Sequence, residues 1–344
     1  MQLQLVVADL YLDPDALAAA PAGALPRLAG LEAVLRWGRL LPAPADWRAM
    51  VAAAAGRPDL GLLPPARVVA AAAGMAAGSS PWLAAPVHLV AGLDHLRLHA
   101  AGLLRLTGDE QAALVEEFSR SFGGDDLRLH AVPGDLLLTG TGVVQAQTQD
   151  PARFLGADVR TAPARGEDAP RLRRLGAEIE MWLHGHAINR ARSRRGLLDI
   201  NALWLWGGGA AAPDGDVPRS ADPLRLQGYA GDAYTAGLWS LGGARVQAPP
   251  ASFAQLLEVA DAEHAAHREP APRLVCISAA MTGAGDGPLA RLDAAWLEPA
   301  VAALRDDRLE SLCLHVGGQQ RLLRRRDLLQ FWRRGRPWWE TLSA

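Results

Sequence analysis

The chain has 344 residues, 50% of them hydrophobic, with 35 basic and 37 acidic side chains and a formal net charge of -2. That balance argues against nucleic acid or an anionic membrane as a partner, and a prior of roughly 150 residues per domain points to two units or one large domain with an insertion. Every cation is an arginine, so an essential lysine of the Schiff-base or P-loop kind is excluded.

Residues 3–8, LQLVVA, read as a short buried strand with Asp9 at its end. The opening MQLQLVVADLYL lacks a basic n-region and a small-residue cleavage site, and no apolar run reaches the roughly 18 residues of a membrane span, so a cytoplasmic setting is expected. LEAVLRWGRLL at 31–41 reads as helix, and 43–81 as short helices and loops rich in Ala, Pro and Gly. From 82 to 160, WLAAPVHLV, HLRLHA, DLRLHAV and DLLLTGT read as strands around the amphipathic helix GDEQAALVEEFSRSF, which Gly123 and Gly124 follow. That order predicts a small α+β subdomain, with a linker at 162–171.

Residues 171–195 predict one long helix, with Leu172, Leu175, Ile179, Trp182 and Leu183 on a single stripe and Gly196 as its C-terminal cap. INALWLW at 200–206 reads as a strand buried on both faces and ended by Gly207, Gly208 and Gly209. RLVCIS and LESLCLHV are two more apolar strands, with the helical ARLDAAWLEPAVAALRD between them. Strands alternating with helices predict an α/β fold with a mainly parallel sheet. The expected core is 1–81 and 171–344, with 82–170 inserted. Cys276 and Cys313 lie in apolar runs without CxxC spacing, as buried free thiols do.

His186, Asn189, Arg190 and Arg194 share one face of the predicted helix, in line with its apolar stripe. Buried there, an imidazole and guanidinium groups need either a structural hydrogen-bond network or a ligand. As a ligand site, with His184 and Asn201 flanking it, the set suits a phosphate or carboxylate. Trp204 and Trp206 lie on one face of the following strand. The three glycines are either a turn or a loop whose N–H groups approach an anion. They are not a GxGxxG, so no dinucleotide is expected. Asp261, His264 and His267 in DAEHAAH drift apart around a helix and read as a solvated face. The tail carries Arg324, Arg325, Arg326, Arg333, Arg334 and Arg336 among Trp332, Trp338 and Trp339. It is either a Trp-anchored terminal helix or a surface for a protein partner.

HGHAINRARSRRGLLDINALWLWGGG resembles the HPVN–R–G–AN–WpWG–G segment of archaeal-type cofactor-independent phosphoglycerate mutases, of the alkaline-phosphatase superfamily. GLWSLGGARV at 237–246 is faintly similar to a second mutase stretch. With WLAAPVHLV and FWRR, most of the chain resembles a proteobacterial family labelled "regulatory protein, RpfE type" or phosphoglycerate-mutase-like. The resemblance implies a three-layer α/β/α fold. For an active mutase it also implies two divalent metals and a serine nucleophile. Asp9 matches the ligand after the first strand, Ser79 and Ser80 are the nearest nucleophiles, and Asp286 alone stands for a late ligand cluster. At the final Asp-His pair Leu314 replaces the Asp and His315 remains. Most expected ligands are missing, so the expectation is a non-catalytic relative with a binding or regulatory role and no cofactor. Mn or Zn is expected only if the mutase site survives as a metal-dependent phosphotransferase. The expected partner is a small phosphorylated or carboxylate metabolite.

Overall fold

The computed structural model describes residues 1–12, 15, 17, 21, 24–44, 46–123, 126–209, 217–220, 227–265, 272–279, 287–330 and 332–342. In chain order the elements begin with β1 (Gln2–Ala8), α1 (Ala29–Trp37), β2 (Arg39–Leu41), α2 (Trp47–Ala54) and α3 (Pro65–Ala72). Then come β3 (Trp82–Ala91), β4 (Leu96–Leu103), α4 (Gly108–Phe122), β5 (Arg128–Val132) and β6 (Asp135–Thr139). The central segment forms α5 (Ala169–His184), α6 (Ala187–Arg194) and β7 (Ala202–Trp206). The last part holds β8 (Gln227–Ala230), α7 (Ala233–Leu241), β9 (Arg245–Gln247), α8 (Phe253–Ala265) and β10 (Arg273–Ser278). It ends with α9 (Pro288–Leu292), a π turn (Asp293–Leu297), α10 (Glu298–Arg305), β11 (Ser311–Val316), β12 (Gln319–Arg324) and α11 (Trp338–Leu342).

The chain forms two compact units: Met1–Pro58, Ala221–Gly231 and Gly242–Ala344 make the first, Asp59–Ser220 and Asp232–Leu241 the second. The boundaries drawn from sequence differ from this division, which begins the second unit at Asp59 and carries it through β7.

The first unit is built on a seven-stranded sheet in the order β2-β12-β11-β1-β10-β8-β9. Strands β11, β1, β10, β8 and β9 run parallel, and β12 pairs antiparallel with β11 and with the edge strand β2, so β12 alone is reversed. The expected α/β class with a mainly parallel sheet is found here. Period-two alternation sends Leu3, Leu5, Val7, Leu312, Leu314 and Val316 to one face, where Leu31 and Val34 of α1 and Ala300 and Leu304 of α10 join them in the core. Helix α2 packs on β1 and β11 from the other face, the one that receives His315 and Ser278. Gly38 ends α1, and the expected helix 31–41 gives way to β2. Asp293, 4% exposed, accepts from the N–H groups of Gly30 (3.1 Å) and Leu31 (2.6 Å), supplying from the π turn the cap that α1 lacks at Leu28. A Cβ on Gly30 would meet the Glu298 nitrogen at 2.3 Å, so only glycine permits this approach.

The second unit is built on five antiparallel strands, with β3 paired to β4 and β6 along one edge and to β7 along the other. The strand-strand-helix-strand-strand order expected for 82–160 is present as β3, β4, α4, β5 and β6. Thr107 and Glu110 form a reciprocal capping box at the start of α4. Strand β7 divides two apolar clusters, Leu203 and Leu205 on one side and Trp204 and Trp206 on the other. Its Leu203/Leu205 face is buried and its Trp204/Trp206 face only half-buried, against the burial on both faces expected, and it lies in this antiparallel sheet and not in the parallel one. No described helix is long and apolar enough to cross a membrane. Cys276 is buried, Cys313 is half-buried, and neither forms a disulfide.

Candidate functional site

The expected single helix 171–195 is two helices, because the chain breaks at Gly185 and His186 becomes the N-cap of α6. Its Nδ1 accepts from the Ile188 N–H at 3.2 Å, its Nε2 lies 2.8 Å from the Glu117 carboxylate, and its ring stands edge-on to Trp182. Burial holds this imidazole below its ordinary pKa, against the pull of Glu117. Asn189 donates to the carbonyls of Leu183 and Ile200 and accepts from the Ile200 N–H. Asn201 donates to the Leu89 carbonyl and accepts from the Leu89 N–H, both at 2.7 Å, extending the ladder beyond β7. Arg190 donates to the Gly185 carbonyl, and His184 and Arg194 are exposed.

The buried guanidinium is Arg192, absent from the expected set. It donates to the Leu198 carbonyl (2.7 Å) and to Glu110 (2.9 Å), the same carboxylate that closes the α4 capping box. Trp204 donates to the Gln149 carbonyl and stacks on Phe154. The glycines are packed against protein. A Cβ on Gly208 would lie 2.3 Å from the Pro81 oxygen, and one on Gly209 2.2 Å from the Ala146 oxygen and 2.6 Å from Trp82. Gly207 (φ +69°) turns the chain where its carbonyl accepts from the Ala66 N–H. The polar groups of the central segment therefore tie α4, α5, α6, β3 and β7 together.

A different cluster occupies the carboxyl ends of β1, β10 and β11 in the first unit, the usual location of ligands in open α/β sheets. Asp9 follows β1 with φ +55°, a left-handed conformation uncommon outside glycine and enriched in Asp and Asn. Its Oδ2 accepts from Ser278 Oγ at 2.7 Å, and its Oδ1 lies 3.9 Å from the Arg48 guanidinium. Arg48 also donates to the Tyr11 hydroxyl (3.2 Å) and lies over the Trp47 ring. Asp46 caps α2 through the Arg48 N–H. His315 is 1% exposed, and neither ring nitrogen has a hydrogen-bond partner among the described residues. Burial pushes its pKa down, with Asp46 pulling the other way.

Asp9 and His315 thus come from neighbouring strands of one sheet. Ser79 and Ser80 belong to the second unit, in a short 3-10 turn, with Ser80 left-handed. Asp286 and His267 lie outside the described residues, as does the side chain of His264; Asp261 is exposed and pairs with Arg308 at 3.2 Å. Arg48, Ser278 and Tyr11 were not foreseen. Ser278 carried one legible sign, being the polar end of an apolar strand.

A pair of divalent ions needs several carboxylates and imidazoles around a shared point. Among the described residues no three His, Cys, Asp or Glu side chains are so placed. Asp9 already faces a protein cation, and Leu314 points into the apolar core. The described donor set does not fit a two-metal centre.

No family model and no curated protein matches the chain. Two solved structures are similar over most of it. A cofactor-independent phosphoglycerate mutase from Thermoplasma acidophilum DSM 1728 has 19% identity over 93% of this chain and 88% of that one, with a TM-score of 0.36. The PH0037 protein from Pyrococcus horikoshii has 13% identity over 91% and 81%, with a TM-score of 0.44.

Proposed function

We propose that this chain is a non-catalytic, phosphoglycerate-mutase-like protein with a binding or regulatory role. Its ligand is a small phosphorylated or carboxylate metabolite, bound at the carboxyl ends of β1, β10 and β11. The observation that carries the reading is the engagement of Asp9 by Ser278 Oγ and the Arg48 guanidinium, which puts a protein cation beside the carboxylate a metal would require. In this reading Arg48 holds the anion, while Tyr11, Ser278 and the orphaned His315 nitrogens supply neutral hydrogen bonds. The free thiols fit a cytoplasmic setting.

The test combines elemental analysis of protein purified without chelators with an assay of 3- to 2-phosphoglycerate conversion in Mn²⁺ and Zn²⁺. Substoichiometric metal and no conversion are expected, together with binding of 3-phosphoglycerate that Arg48→Ala abolishes. Stoichiometric Mn or Zn with turnover would instead assign a metal-dependent phosphotransferase.

A further inference from the structure

A cleft of about 450 Å³ opens in the first unit between α1, the end of α10 and the C-terminal segment. That volume lies within the roughly 300–1,000 Å³ usual for small-molecule sites. Its lining carries four arginines, Arg27, Arg36, Arg305 and Arg336, against one carboxylate, Glu32. Glu32 is already clamped by Arg27 through contacts of 2.6 to 3.1 Å. Arg305 and Arg336 have no acidic partner among the described residues.

The segment is fastened so that these charges stay together. Arg36 donates to the Arg333 carbonyl at 2.6 Å, Arg333 returns bonds to the carbonyls of Arg36 and Trp37, and Trp338 is buried and donates to the Pro26 carbonyl. Nearby, Arg321 has its pKa lowered by burial and by the charge of Arg333. The Trp37 ring lies under Arg36 and lines the cleft, with its indole nitrogen buried and unpartnered. Four guanidinium groups lining one cleft against a single carboxylate make it electropositive, which an anion of two or more charges complements. Guanidinium forks match phosphate oxygens.

We infer that this cleft is a binding site for a small, multiply charged phosphate compound, of the pyrophosphate or nucleoside-polyphosphate class. The cleft's volume is that of a small molecule and not of a peptide segment. The site lies on the α1 side of the sheet, opposite the face that carries His315 and Ser278.

Titration calorimetry with pyrophosphate and ATP on the full chain tests the assignment, with inorganic phosphate and hexaglutamate as comparisons. Saturable binding of pyrophosphate or ATP is expected, tighter than that of inorganic phosphate and weakened by salt. Arg305→Glu and Arg336→Glu together should lower affinity roughly tenfold or more, about 1.4 kcal/mol for each tenfold. Both side chains are exposed, so the melting temperature should stay within a degree or two of the parent's, and Arg48→Ala should leave this binding unchanged. No saturable binding, equal affinity in the Arg305/Arg336 variant, or loss of binding in Arg48→Ala alone overturns the assignment. Hexaglutamate binding more tightly than ATP does so too, in favour of an acidic peptide.

Discussion

Replacing Arg192 by Ala tests the role assigned to the central segment. The guanidinium and its partner Glu110 are 4% and 11% exposed at the side chain. Arg192 holds the Leu198 carbonyl and one Glu110 oxygen, while the other oxygen accepts from the Thr107 N–H. Removing Arg192 leaves Glu110 with only the exposed Arg195 guanidinium, 3.8 Å away, so the loss should be about 2–3 kcal/mol, below the roughly 3–5 kcal/mol of a fully stranded buried charge. Glu110→Gln should be costly for the same reason, with Arg192 the stranded partner. The double variant Glu110→Gln/Arg192→Ala strands no charge, so its loss should fall short of the summed single losses by roughly 2 kcal/mol. Urea unfolding followed by circular dichroism, with the m-value as a check on two-state behaviour, reads all three. A loss below about 1 kcal/mol for Arg192→Ala, or additivity within about 0.5 kcal/mol, would refute the claim that this pair fastens α6 to α4.

Gly208→Ala should destabilise by at least 1–3 kcal/mol, the usual cost of overpacking, because its Cβ meets the Pro81 oxygen and Trp82; an unchanged melting temperature would free the glycines for the loop role. Burial pushes the Asp135 carboxyl up to about 7, with Asp232 and Asp150 adding to the rise. Its raised folded pKa gives stability that is full below about pH 4 and lost as pH rises through 7, a ceiling of roughly 4 kcal/mol. The side chain is only partly buried, so Asp135→Asn should gain about 1–2 kcal/mol at pH 8 and nothing at pH 4; equal melting curves at pH 8 would contradict this. Trp338→Ala should cost about 3–5 kcal/mol, because the ring is 3% exposed within the core. A near-neutral effect in thermal unfolding would return the tail to the role of a detachable partner surface.

The sequence was most legible where a single periodicity decided the outcome. Strands β1, β10 and β11 and helix α4 follow from apolar runs or from an amphipathic stripe closed by glycines. The central segment misled because one 3.6-residue period was carried through Gly185. The break there makes His186 a cap and turns Arg192 inward, a rotation that a stripe drawn through the break cannot show. Strand β7 reads alike in a parallel or an antiparallel sheet, because apolar residues on both faces erase the alternation that separates them. At the sheet end, Asp9 was legible as the polar end of an apolar strand, and His315 through the resemblance to the mutases' final Asp-His pair. Arg48 was not, since it lies in an Ala-rich stretch and meets Asp9 only through the helix that carries it.

The place of β1 has a consequence for biosynthesis. It sits at the centre of its sheet, but its two neighbours begin at Arg273 and Ser311. At roughly 5–20 residues per second, about 15–60 s separate its emergence from the ribosome from that of the second neighbour. During that interval LQLVV has no native edge to join, whereas the strands of the second unit all lie between Trp82 and Trp206 and can pair first. Nascent chains stalled before Arg273 should therefore hold an unprotected β1 beside an antiparallel sheet that already resists protease, and they would be natural clients for a holdase.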